Sequence, residues 1–122
     1  MEAKTILTVD DSRTMREMLL LALQDAGYHV LQAEDGLKGL EVLKDRPADV
    51  IITDINMPRL DGFGFIEHVR RDSTHRAVPI LVLTTESDAE KKSRARSAGA
   101  TGWIVKPFHP VKLVDAIRRV AG

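Results

Sequence analysis

The sequence predicts one doubly wound α/β domain, and two observations carry that expectation. Four short apolar runs, residues 5–9, 50–53, 80–83 and 103–105, are rich in β-branched side chains, and each stops at a polar residue: Asp10-Asp11, Asp54, Thr84 and Lys106. Between them lie segments of helical length with cap signals at their ends. Short apolar runs bounded by turn residues read as buried strands, and strands that alternate with helices lie parallel. All their carboxyl ends then share one edge of the sheet.

Five βα units follow in order. The first strand is expected over about 4–9, and the first helix runs from Ser12, a good N-cap, to Ala26, stopping at Gly27. The second strand is 28–33, and the second helix runs from about Gly36 to Lys44, ending before Pro47. The third strand is about 49–54. The segment 56–62, Asn-Met-Pro-Arg-Leu-Asp-Gly, is a loop with two turn signals. A helix at about 63–71, a strand at 79–84, a helix at 88–98 and a strand at 102–105 complete the alternation. Pro110 opens the last helix, which reaches about Val120.

The 122 residues suffice for one core, so a single domain over 1–122 is expected, with no effector domain after the last helix. Apolar residues make up 43% and charged residues 30%, too apolar for disorder. A formal net charge of zero argues against general attraction to nucleic acid or membrane. With no cysteine there is no disulfide, thiolate metal site or thiol nucleophile. The start shows no secretory signal, and the longest apolar run, 18–23, is far below the ~20 residues a membrane span needs. A cytoplasmic, monomeric protein is expected.

Ligands in doubly wound sheets bind outside the carboxyl ends of the strands, where the strand order reverses. Asp10, Asp11 and Asp54 therefore converge there, with Thr84 and Lys106 beside them. Close carboxylates repel, by about 4 kcal/mol per pair at 4 Å and an effective ε of 20. A hard cation relieves that repulsion, and Mg²⁺ characteristically takes one or two carboxylates plus phosphate oxygens. Lys106 supplies a point charge and Thr84 a hydroxyl donor for phosphoryl oxygens. Nucleophile, metal and charge-neutralising groups are what phosphoryl transfer requires.

These residues resemble the receiver domains of response regulators, and most closely the single-domain chemotaxis regulators. The matching segments are Val9-Asp10-Asp11-Ser12 with Thr14-Met15-Arg16, Ala33-Glu34-Asp35-Gly36, and Asp54-Ile55-Asn56-Met57-Pro58 with Asp61-Gly62. Thr84, Gly99-Ala100 and Val105-Lys106-Pro107-Phe108 continue the match. The resemblance implies a flavodoxin-like (βα)5 fold with strand order 2-1-3-4-5. It implies that Asp54 accepts a phosphoryl group from the phosphohistidine of a histidine kinase. Asp11, Asp54 and the Asn56 backbone carbonyl would hold Mg²⁺ with help from Asp10, and Lys106 would contact the phosphoryl group. Thr84 would move to bond it, the aromatic at 103 would change rotamer in step, and the Lys106–Pro107 bond would be cis. Such a protein catalyses its own phosphorylation and dephosphorylation without being a turnover enzyme.

Residue 103 is Trp where the family usually has Tyr or Phe. Two readings stay open: a rotamer switch, or a fixed patch on the output face. Asn56 and Glu86 fall where the family tunes the lifetime of the phosphorylated form, and a polar pair there implies a short-lived phosphoryl group.

Partner surfaces are expected in two places. On the first helix Met15, Met18, Leu19, Ala22 and Ala26 should face the core, leaving Leu20 and Leu21 to dock a kinase or phosphotransfer domain. From Glu86 onward the chain holds eight basic and four acidic residues, +4 against −4 for the remainder. Lys91, Lys92, Arg94 and Lys112 on the fourth and fifth helices would meet an acidic target peptide, such as one from a flagellar switch protein. The same chemistry without direct output, as a phosphate sink or phosphorelay intermediate, is the alternative. A Mg²⁺-dependent phosphatase is a third reading, but the chain lacks a cap segment. No helix-turn-helix or aromatic-basic pattern points to nucleic acid. His29, His68, His75 and His109 have no metal-ligand spacing, and Tyr28, Phe63 and Phe65 read as packing residues.

Overall fold

The computed structural model describes residues 3–121. Met1, Glu2 and Gly122, counted in the expected domain, lie outside the described residues. Five strands and five helices alternate: β1 Thr5–Val9, α1 Arg13–Asp25, β2 His29–Ala33, α2 Gly36–Asp45, β3 Val50–Thr53, α3 Gly62–Arg71, β4 Ile80–Thr84, α4 Ala89–Ala98, β5 Gly102–Val105 and α5 Pro110–Ala121. All strand pairs are parallel, in the order β2-β1-β3-β4-β5. Every predicted element is present within two residues of its expected ends. The Lys106–Pro107 bond is cis.

Alternation along each strand divides the core in two. Leu7, Val9, Ile51, Ile80 and Val82 face one side, where Phe63, Phe65, Ile66 and Val69 of α3 close the layer. Ile6, Val50, Ile52, Leu81 and Leu83 face the other, against Leu19 and Leu23 of α1 and Leu113 and Ile117 of α5. Phe63 and Phe65 are buried, as their reading as packing residues required. No helix among the described residues is long and apolar enough to cross a membrane.

Helix starts follow the sequence closely. Ser12 caps α1 by accepting from the Met15 N–H, Asp35 caps α2 and Asp61 caps α3 in the same way. Gly27, with φ +93°, provides the left-handed turn after α1.

One expectation for α1 is corrected. Met18 does not face the core: it is 47% exposed, while Leu20 is half-buried. Leu19 and Leu23 set the buried direction, and at about 100° per residue Leu20 lies ~80° from their midpoint and Met18 ~120°. The exposed apolar pair on this helix is thus Met18 and Leu21, the latter 70% exposed.

Helix α4 is anchored differently from the rest. Its sequence, Ala-Glu-Lys-Lys-Ser-Arg-Ala-Arg-Ser-Ala, has no apolar side chain larger than alanine, and only Ala95 is buried. The Arg94 guanidinium lies 4.1 Å from the centre of the Phe63 ring, a cation–π contact that ties α4 to α3.

Candidate functional site

Reversal of the strand order between β1 and its two neighbours brings the ends of β1 and β3 side by side. The Asp54 N–H donates to the Val9 carbonyl (2.9 Å), which locks those two ends in register. Asp10, Asp11 and Asp54 meet there, with one carboxylate oxygen from each within 4.8 Å of the others. Asp10 and Asp54 are buried and Asp11 is exposed.

Lys106 closes the site from the end of β5. Its Nζ donates to Asp10 Oδ2 (2.8 Å) and to Asp54 Oδ2 (2.7 Å). The Lys106 N–H donates to the Thr84 carbonyl (2.8 Å), fixing the strand end that delivers the side chain. The other oxygens of the two buried carboxylates are also occupied: Asp10 Oδ1 accepts from the Ser12 N–H (2.9 Å) and Asp54 Oδ1 from the Ile55 N–H (2.6 Å).

Burial pushes the Asp10 carboxyl up from its ordinary value, opposed by its hydrogen bonds from Lys106 and Ser12. Burial works against the Lys106 ammonium as well, but its bonds to Asp10 and Asp54 outweigh that and hold its pKa above the ordinary value. Lys106 is therefore a cation here. Three carboxylates and one ammonium leave the cluster at about −2 when all are ionised, the charge a divalent cation neutralises. The donors are all hard oxygens, and Asp11 stays open to solvent, which suits an ion that keeps part of its water shell.

Thr84 is fully buried at the end of β4, and its Oγ1 accepts from the Glu86 N–H (3.4 Å). The Asn56 side-chain amide donates to Glu86 Oε1 (3.2 Å) across the rim. Lys91 Nζ lies 3.0 Å from the same oxygen. Lys91 first, then Asn56, holds the Glu86 carboxyl below its ordinary value. Trp103 is half-buried, and its indole N–H donates to the Glu86 carbonyl (3.1 Å). Asn56, Glu86, Lys91 and Trp103 are thus connected through one residue. Of the residues expected at partner surfaces, Lys92 and Lys112 are exposed, Arg94 covers Phe63 and Lys91 holds Glu86.

The contacts of two arginines at the site were not legible in the sequence. Arg16 Nη1 donates to the Asp10 carbonyl (2.6 Å), bracing the turn that presents both aspartates. Arg59 sits in the left-handed region (φ +66°), and its Nε and Nη2 both donate to the buried Asp35 carboxylate. That clasp pins the loop carrying Asn56 to the start of α2. The Gly36 N–H adds a bond to the Leu60 carbonyl (3.2 Å), and a Cβ on Gly36 would lie 2.7 Å from that oxygen. Gly62 closes the same loop by donating to the Ile55 carbonyl (2.8 Å), where any side chain would strike the Asp54 carbonyl. Arg16 lies in a segment that matches the receiver family, but no local pattern gives the acceptor of either arginine. Only the fold brings them to their acceptors.

A family model described as the response regulator receiver domain matches residues 6–118. The chain is 42% identical over 120 residues to the chemotaxis protein CheY1 of Helicobacter pylori, covering 96% of each. The solved structure of the chemotaxis response regulator CheY4 of Vibrio cholerae matches with a TM-score of 0.92 and 47% identity, over 97% of this chain and 98% of that one. The receiver domain of the sensor histidine kinase PA1611 from Pseudomonas aeruginosa, solved with magnesium in its active-site cleft, matches with a TM-score of 0.91 and 27% identity over 98% of each chain. The chain also spans about half the length of transcriptional regulators that it matches, 49% of one and 52% of another.

Proposed function

The chain belongs to the response regulator receiver domain family, and on that premise we propose that it accepts a phosphoryl group on Asp54 from a histidine kinase or phosphotransfer domain, and then presents its α4–β5–α5 face to a downstream protein. The observation that carries this reading is the Lys106 ammonium bridging Asp10 and Asp54 beside Asp11. Mg²⁺ is the metal the donor set fits; Asp11, Asp54 and the Asn56 carbonyl would hold it, with Asp10 assisting. When bound, it supplies charge neutralisation for the phosphoryl oxygens.

In the transfer, one Asp54 carboxylate oxygen attacks phosphorus. The bond from phosphorus to the donor's imidazole nitrogen breaks, and that nitrogen leaves with the electron pair. Asp54 is oriented for this by the Ile55 N–H and Lys106, and Lys106 then turns its charge toward the phosphoryl oxygens. The Thr84 hydroxyl supplies a further donor. Water later cleaves the acyl phosphate, so the protein catalyses its own modification and its reversal without turning over an external substrate.

The downstream partner is proposed from the basic residues of α4 and α5, which suit an acidic peptide. Likeness to chemotaxis regulators favours a component of the flagellar switch. The test is phosphotransfer from a purified, autophosphorylated histidine kinase. Label should move to this chain in Mg²⁺ and stay on the kinase in excess chelator. Label that stays on the kinase with every donor kinase tried, Mg²⁺ present, would overturn the proposal.

A further inference from the structure

Glu86 stands between the site and α4. Its backbone carbonyl accepts from Trp103, its N–H donates to Thr84, and one carboxylate oxygen receives both the Asn56 amide (3.2 Å) and the Lys91 ammonium (3.0 Å). Four residues between Glu86 and Lys91 carry the chain around the α4 N-terminus, so the ion pair spans the join between loop and helix. The Lys91 side chain is 41% accessible. A free Glu86 side chain would sample several rotamers over open solvent. With two donors on one oxygen it is held at the rim beside Asn56.

We propose that Lys91 is a positioning residue that holds the Glu86 carboxylate against the Asn56 amide, so that a residue of α4 sets the lifetime of the phosphoryl group on Asp54. The inference rests on the phosphoacceptor role given above and deepens it. Hydrolysis requires a water oxygen to attack phosphorus from the side opposite Asp54. The bond from phosphorus to the Asp54 oxygen breaks, the carboxylate keeps the electron pair, and the water's protons end on inorganic phosphate and solvent. Lys91 and Asn56 both bind Glu86 Oε1, which leaves Oε2 free to accept a hydrogen bond from that water. Without Lys91 the carboxylate swings away and the water loses its acceptor. Phosphoryl uptake from a small donor needs no such water, so Lys91 separates loss from uptake.

The test uses the full chain with Mg²⁺ and acetyl phosphate, following uptake and, after the donor is removed, loss of phosphate. Lys91→Met should slow loss about fivefold, the worth of one oriented hydrogen bond, with uptake unchanged. Lys91→Arg should restore most of the rate, and Lys44→Met on α2 should leave it unchanged as a charge control. The double variant Glu86→Ala/Lys91→Met should match Glu86→Ala alone, because Lys91 acts only through Glu86. Loss at the wild-type rate in Lys91→Met, or effects that add in the double variant, would overturn the role of Lys91 while leaving the phosphoacceptor intact. Wild-type protein that takes up no phosphate would overturn the phosphoacceptor, and the role of Lys91 with it.

Discussion

Lys106 is the residue on which the site's electrostatics turn, because among the described residues its ammonium is the one cation bonded to both buried carboxylates. Replacing it by Met leaves Asp10 and Asp54 facing each other without a counter-charge. Lys106→Met should therefore bind Mg²⁺ more tightly than wild type, since the divalent ion then relieves repulsion that Lys106 formerly reduced. The same variant should transfer phosphate at least tenfold more slowly, since a charge directed at the phosphoryl oxygens has gone. Metal titration by calorimetry and phosphorylation by acetyl phosphate measure the two effects. Weaker Mg²⁺ binding would mean that Lys106 organises the carboxylates more than it competes with the ion. At Trp103, the bond to the Glu86 carbonyl fixes the indole to the β4–α4 loop. As the chain's single tryptophan, it should report modification of Asp54 as a change in intrinsic fluorescence, and Glu86→Ala should leave that response in place because the bond is to backbone.

Among the elements, α4 and α2 are held by different forces and should respond to different conditions. Helix α4 buries only Ala95, while α5 buries Leu113 and Ile117 and α3 buries Phe63, Phe65, Ile66 and Val69. With so little apolar area removed from water, α4 should open at lower free energy than α3 or α5. Native-state hydrogen exchange should show its amides exchanging fastest of the three, and equal protection would contradict this. Helix α2 is tied to the loop over the site by Asp35. Burial alone would raise that carboxyl, but the Lys38 N–H and Arg59 outweigh it and hold it below the ordinary 3.8. A depressed native value means the unfolded chain binds more protons in that range. The stabilisation is thus present above about 3.8 and is lost as the pH falls through the native value. Asp35→Asn keeps the cap but removes the ion pair. Its unfolding free energy should fall below that of wild type at pH 7, and the gap should narrow as both are acidified below about pH 4. Alternation of strands and helices, and the cap at Ser12, were readable because they depend on residues close in sequence. The α1 stripe was misread at Met18 because several phases of an apolar helix look alike until the sheet selects one.

Across the whole molecule, the sheet edge was legible because a parallel order forces every strand end to one side, so Asp10, Asp54, Thr84 and Lys106 could be assigned to one place before any distance was known. What could not be read were the long side chains that cross between elements: Arg16 to the Asp10 carbonyl, Arg59 to Asp35, Lys91 to Glu86. Their reach and flexibility leave no spacing in the sequence. If the carboxylates bind a divalent ion only when folded, Mg²⁺ should raise the melting temperature, by an amount equivalent to about 2.7 kcal/mol at one hundred times its dissociation constant, and chelation should reverse it. The most direct test of the assignment compares wild type with Asp54→Asn after treatment with Mg²⁺ and acetyl phosphate, by intact mass and peptide mapping. Wild type should gain one phosphoryl group, on the peptide containing Asp54, and the variant none. Modification of the variant to the same extent would contradict it.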